Sequence, residues 1–425
     1  MTQRVESKWR KSIWMDVTAV VSVVAVGIVV AGMLNEPAEE SSADSRIPGC
    51  DVVESPMEPR RFSVAYSPSQ DYYNAKYPWF SGPKATAMTN AVIQSLPADV
   101  DVVFASPGES LEFQPIDDIA QSQLPDDVDA ALFNGSTSAR GSLVRDGQVG
   151  TLTVDVRAWD RPVPPCVAGG LDRREMLPNG TVLDLQETWA ESNGVRHLKR
   201  DVVAYLPDGT RVVARVDDSD STEPNARTRH AGRTPLTLDD LTAIATTPDL
   251  AVAAGVPPGT LPPMRACSTE SNGTGPVLTR GAVADINRAL DERWSGVSST
   301  GVSLDRPIGS LRPGDFGRDN VCEVLTTTSG GGSGRLEIAL LSGRDTPSPH
   351  EQLLSELDRD RKSETLQDGS VIVRAAYPSN GGAFVSVTRP SGAQVVVSAS
   401  APEGSASPLT LEELEFIATT PGVVP

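Results

Sequence analysis

Two stretches of alternating apolar residues flank a Pro-Asp-Gly turn in VVAYLPDGTRVVARV, Val202 to Val216. Side chains two apart share one face of a strand, so this pattern predicts an antiparallel hairpin with one buried face. The pattern returns in FVSVTRPSGAQVVVSA, Phe384 to Ala399, around Ser391 and Gly392. Upstream, LPNGTVLDL (Leu177 to Leu185) and LQDGSVIVR (Leu366 to Arg374) each set an Asn-Gly or Asp-Gly turn ahead of a strand. GTLTVDVRAWD from Gly150 and GRLEIALLSGR from Gly334 make a further matched strand.

The spacing changes to a helical one in PLTLDDLTAIATTP (Pro235 to Pro248) and PLTLEELEFIATTP (Pro408 to Pro421), where ten of 14 positions are identical and two exchange Asp for Glu. Thr237 and Thr410 stand as N-caps, with Asp240 and Glu413 three residues on, the spacing of a capping box. Leu236 with Leu241, and Leu409 with Leu414, have the spacing of a hydrophobic staple, and Pro248 and Pro421 stop each helix. ATAMTNAVIQSL from Ala85 and GAVADINRALDE from Gly281 read as amphipathic helices at the front of each copy.

Matches in the same order along the chain predict an α+β fold: two tandem repeated units, each an antiparallel sheet with flanking helices, at residues 82–250 and 276–425. Between Gly180 and Gly209 the first copy is 6 residues longer than the second between Gly369 and Gly392. It is 10 residues longer from there to its closing helix, and both excesses are expected in loops. The segment 251–275, with four prolines in seven residues, reads as a semi-rigid linker.

The N-terminus changes the picture from a fold to an address. Val17 to Leu34 holds 18 residues without a charge, about 27 Å as a helix, which predicts a transmembrane helix at 17–34. Arg4, Lys8, Arg10 and Lys11 precede it and Glu36, Glu39, Glu40 and Asp44 follow, so residues 1–16 are expected in the cytoplasm and the bulk outside a single-pass cell membrane anchor. The apolar run exceeds the usual length of a signal-peptide core, and no A-x-A site follows it, which favours an anchor over a cleaved signal. Residues 35–81 form a polar stalk and an aromatic-rich segment.

A formal charge of -19 excludes a nucleic-acid binder, which needs a basic footprint. Cys50, Cys166, Cys267 and Cys322 are spaced too widely for a CxxC metal or redox motif, and all fall on the oxidising side. The repeat predicts one disulfide per unit, Cys50 with Cys166 and Cys267 with Cys322.

Seven of the chain's aromatic residues crowd between Phe62 and Phe80. Tyr72, Tyr73, Tyr77, Trp79 and Phe80 are the candidate partner-binding residues, since Tyr and Trp anchor interfaces. The competing reading is a structural strap whose rings fill the first core. His197, His230 and His350 have no second ligand at metal spacing, no G-x-S-x-G elbow occurs, and no cofactor signature is found. The carboxylates of Asp217, Asp218 and Asp220 lack the EF-hand pattern and read as a solvated acidic loop.

The basic tail KWRKSIW, the Val/Ala-rich span, the Pro-rich linker and the LTLEELEFIATTP ending together resemble single-pass, membrane-anchored extracytoplasmic proteins of high-GC Gram-positive bacteria. The resemblance implies an address at the cell envelope and no activity. The expected function is a non-enzymatic binding or accessory module facing an envelope protein or wall ligand; the alternative is a membrane-tethered hydrolase.

Overall fold

The computed structural model describes residues 46–56, 71–119, 124, 134–192, 194–220, 229–265, 267, 275–296, 301–314, 319–329, 332–347, 361–377, 381–402 and 407–423. The expected membrane span at 17–34 and the rings of Phe62 and Tyr66 lie outside these residues. Among the described residues no helix is long and apolar enough to cross a membrane.

The chain is mostly β, with two antiparallel sheets and four α-helices among the described residues, an α+β architecture. The first half opens with β1 (Val53–Glu54) and α1 (Gly82–Ser95). It continues through β2 (Asp101–Val102), β3 (Ser136–Arg145), β4 (Gln148–Ala158), β5 (Cys166–Val167) and β6 (Arg173–Met176). Then come β7 (Val182–Ser192), β8 (Val195–Tyr205), β9 (Thr210–Asp217), the short pair β10 (Ser219–Asp220) and β11 (Arg229–His230), and α2 (Leu238–Ala245). The second half runs α3 (Arg280–Ser295), β12 (Ser303–Leu304), β13 (Arg312–Pro313), β14 (Asn320–Ser329), β15 (Gly332–Leu341) and β16 (Arg361–Thr365). It closes with β17 (Val371–Tyr377), β18 (Gly382–Thr388), β19 (Gln394–Ser400) and α4 (Leu411–Ala418).

The strand order is β2-β3-β4-β9-β8-β7-β6 in one sheet and β12-β14-β15-β19-β18-β17-β16 in the other, with β13 added beside β14. Both paths place a long hairpin beside the last strand of their sheet in chain order, β9 or β19, so the two sheets are wound in the same order. The tight turns match atom for atom. Thr181 N donates to Asn179 Oδ1 at 3.0 Å and Ser370 N to Asp368 Oδ1 at 2.9 Å, while Gly180 and Gly369 take φ of +85° and +81°. Only glycine enters that left-handed region without a Cβ penalty.

Both capping boxes form. Asp240 N donates to Thr237 Oγ1 at 3.1 Å, and Glu413 N to Thr410 Oγ1 at 3.2 Å; each acid returns a bond to its cap's backbone N–H. The apolar faces of α2 (Leu241, Ile244, Ala245) and α4 (Leu414, Ile417, Ala418) are buried on their sheets. Each fully buried Leu or Ile contributes about 1.5–3 kcal/mol. One core joins α1 and α2 to the inward residues of β3, β4, β7, β8 and β9, among them Leu143, Val154, Leu183 and Val202. A second joins α3 and α4 to Val321, Leu336, Ile338, Val385 and Val397.

Cys50 is bonded to Cys166 and Cys267 to Cys322, the pairing the repeat predicts. The first bridge staples a parallel two-residue pairing of β1 with β5, which no sequence pattern announced.

The two excess segments correct the sequence reading in part. The extra 6 residues of the first half lengthen β7 and β8 to 11 residues each, against 7 in β17 and β18, rather than enlarging a turn. Among the described residues β6 pairs only with Val182 to Leu185, so β7 beyond Leu185 overhangs without an outer strand. The second excess holds β10 and β11. It also overturns the solvated acidic loop. Asp218 is fully buried, its carboxylate accepts Gly232 N at 3.1 Å, and Asp217 accepts Ser219 N at 2.9 Å. Backbone N–H groups of Ser219, in the short pair, and Gly232, just after it, bond these acids.

Candidate functional site at the junction of the two halves

The residues of 71–80 divide between core and surface. Phe80 is buried in the first core, and Tyr72, Tyr77 and Trp79 are half-buried against it. Trp79 and Tyr72 meet Phe80 at 5.4 and 6.1 Å between ring centres. Tyr77 lies over Gly135, where a Cβ would come within 3.2 Å of its ring. Tyr73 alone of the five is well exposed, at 61%.

Tyr72 leads into the site that the sequence did not announce. Its hydroxyl donates to the Phe113 carbonyl at 3.2 Å. Phe113 N donates in turn to Thr89 Oγ1 of α1 at 3.0 Å, and Leu111 N to the Arg140 carbonyl of β3 at 2.7 Å. Leu111 is fully buried with φ of +63°, a conformation that costs a non-glycine residue about 1 kcal/mol or more. Gly141 makes room for it, since a Cβ there would come within 2.7 Å of the Leu111 side chain. The strained residue directly precedes Glu112, which these bonds aim at the second half.

Glu112 Oε2 meets Arg312 Nη1 at 2.6 Å, and both side chains are largely buried. Burial, and then the Glu112 carboxylate, push the Tyr72 phenol well above its ordinary range. The other arm of Arg312 donates from Nη2 to the Met264 carbonyl at 2.7 Å, and Arg306 Nη2 donates to the Pro262 carbonyl at 3.4 Å. Pro262 itself sits on the first residue of α1, where a Cβ on Gly82 would come within 2.6 Å of the ring. Arg280 of α3 completes the junction, donating to the Val102 carbonyl at 3.1 Å and lying over the Phe104 ring. The Pro-rich segment is therefore wedged between the halves and bonded to both.

Beside this wedge opens a cleft of about 420 Å³ lined by Thr86, Asn90, Glu112, Leu261, Met264 and Arg306, among others. Hydroxyl, amide, carboxylate and guanidinium groups face apolar Leu, Pro and Met side chains there, a mixture suited to binding a polar ligand with an apolar face. Beneath Arg306 lies Glu323 of β14, fully buried on the helix-covered side of the sheet between Val321 and Leu325. One oxygen accepts Ser310 N at 3.2 Å, and the other has no partner among the described residues. Burial pushes this carboxyl well above the ordinary carboxylate range.

His197 lies on β8 opposite Ala190 and does not line the cleft, the side chain of His230 is not described, and His350 is outside the described residues. Among the described residues no group of His, Cys, Asp or Glu could hold a metal ion. Glu112 and Arg312 stand 200 residues apart and carry no local signal. Glu323 did carry one, as a lone charge inside the apolar run NVCEVL. No family model, curated protein or solved structure matches the chain.

Proposed function

We propose that this chain is a non-enzymatic binding module of the cell envelope, tethered by residues 17–34 and built from two tandem copies of one helix-covered sheet. The observation that carries the reading is the Glu112–Arg312 pair, which joins the halves at the wall of an open cleft whose polar groups converge. The two disulfides support an extracytoplasmic address, where such bonds persist. The ligand class that suits the lining is a wall glycan or its peptide, with Asn90 and Thr86 bonding polar groups and Leu261 and Met264 meeting the apolar face.

The test is sedimentation of the oxidised protein with purified cell-wall sacculi. Retention that falls at least about tenfold in Asn90→Ala and Arg306→Ala supports the module. Release of soluble wall fragments by the purified protein would favour the tethered hydrolase instead, and neither retention nor release would sink both readings.

A further inference from the structure

The segment from Asp305 to Arg312 is pinned through three consecutive backbone N–H groups. Gly309 N donates to Asp291 Oδ1 at 2.8 Å, Ser310 N to Glu323 Oε2 at 3.2 Å, and Leu311 N to Asn287 Oδ1 at 2.9 Å. The fit is close, since a Cβ on Gly309 would come within 2.1 Å of the Asn287 carbonyl. This one segment carries both arginines that hold the Pro-rich segment. Arg306 holds the Pro262 carbonyl, and Arg312 holds Glu112 and the Met264 carbonyl.

Of the three side chains that pin it, Glu323 is the one fully removed from water. The corresponding position of the first sheet is Ala139, which opposes Val154 as Glu323 opposes Ile338. Ala139 is also fully buried, so the shared fold packs well with a methyl group at this place. A carboxyl there places a titratable group directly under the segment that binds the two halves.

We infer that Glu323 is a proton-operated latch on the junction: neutral, it keeps the 305–312 segment docked and the halves closed on the linker; ionised, it releases the segment and opens the cleft. The charged groups facing it set the direction. Asp291 comes from α3, and Asp305 and Arg306 come from the segment itself. Arg306, the one cation among them, is already engaged with the Pro262 carbonyl and lies 3.8 Å from Asp305. Ile338, Val321 and Leu325 surround the carboxyl with apolar surface. An ionised Glu323 would thus have a single N–H bond, an oxygen with no partner among the described residues, and two like charges against one cation already engaged elsewhere; lifting the segment gives up the bond but hydrates the carboxylate and screens the like charges.

The latch does not rest on what the cleft takes, because it is read at the junction. The experiment is hydrogen exchange by mass spectrometry on the full chain in detergent micelles, disulfides intact, with wild type and variants compared at the same pH. In the wild type, exchange in residues 259–265 and 305–312 should accelerate relative to Glu323→Gln as pH rises above about 4.5, by up to about tenfold per pH unit, until the carboxyl is ionised. Asp291→Asn removes a like charge from the closed state, so the Glu323 carboxyl should ionise sooner and the acceleration should level off at lower pH. Identical profiles for wild type and Glu323→Gln at every pH would overturn the latch, as would a levelling-off pH that Asp291→Asn leaves in place. Failure to bind sacculi changes neither readout.

Discussion

The ring of Pro235 rests directly on Gly150: a Cβ on that glycine would come within 2.5 Å of the proline Cδ. Pro408 rests on Gly334 in the same way, with its Cγ 2.9 Å from the corresponding point. The first proline of each repeated helical segment is thus the residue that seats α2 or α4 on its sheet, and it needs a glycine on β4 or β15 to do so. Gly150→Ala and Gly334→Ala should each destabilise the protein by about 1–3 kcal/mol through overpacking. Gly281 in α3 has open space around it, so Gly281→Ala should be neutral or stabilise by about 0.5–1 kcal/mol. Denaturant unfolding of the three variants checks the contrast.

Lys84 is a charged residue in the first core. It is 2% exposed, and its Nζ donates to the carbonyls of Asp249, Ala251 and Ala254 at 3.3, 2.8 and 2.8 Å. Burial pulls its pKa below the ordinary lysine range. The ammonium ties α1 to the turn that follows α2, so Lys84→Met, which keeps the bulk, removes three hydrogen bonds that hold this turn to the helix. A loss of about 3 kcal/mol is expected, seen as a lower denaturation midpoint with an unchanged slope.

Two carboxyls give stability pH dependences of opposite sign. Glu415 accepts Arg374 Nε and Nη2, each at 2.7 Å, and this pairing with Arg374 holds its pKa below the ordinary glutamate value. Its contribution is present above pH 4.5 and fades as pH falls through the depressed value, so Glu415→Gln should flatten the acid limb of the stability curve. Glu323 is raised, so its contribution is complete below pH 4.5 and fades as pH climbs through the raised value. Glu323→Gln should therefore flatten the opposite limb, measured as melting temperature against pH.

The Glu112–Arg312 pair is largely desolvated, so removing one partner strands the other. Glu112→Ala and Arg312→Ala should each cost about 3–5 kcal/mol, and the double variant should cost less than their sum, with a coupling of about 1–3 kcal/mol. A thermodynamic cycle by denaturant unfolding measures it, and strictly additive losses would show that the contact carries no energy of its own.

What the sequence made legible was everything written within one element. The Thr237 and Thr410 capping boxes, the glycine turns at 180, 209, 369 and 392, and the hairpins around them depend on residues within about ten positions, and all are present. The disulfide pairing followed once the repeat was seen. The overhang of β7 and β8 was misplaced into a loop because a longer strand and a larger turn have the same length difference. Lys84 stayed hidden because a lysine in the first turn of a helix ordinarily points to water, and only the returning chain at Asp249 to Ala254 encloses it. The junction was invisible for a plainer reason: Glu112, Met264 and Arg312 meet only after two sheets have formed.

The wedged linker has a consequence for how this molecule tolerates change. A segment clasped at Pro262 by α1 and Arg306, at Met264 by Arg312, and at Cys267 by a covalent bond no longer behaves as a spacer whose length sets a reach. It is a fixed part of the junction, so swapping it for a flexible stretch of equal length would not loosen a hinge but remove contacts that both halves make with it.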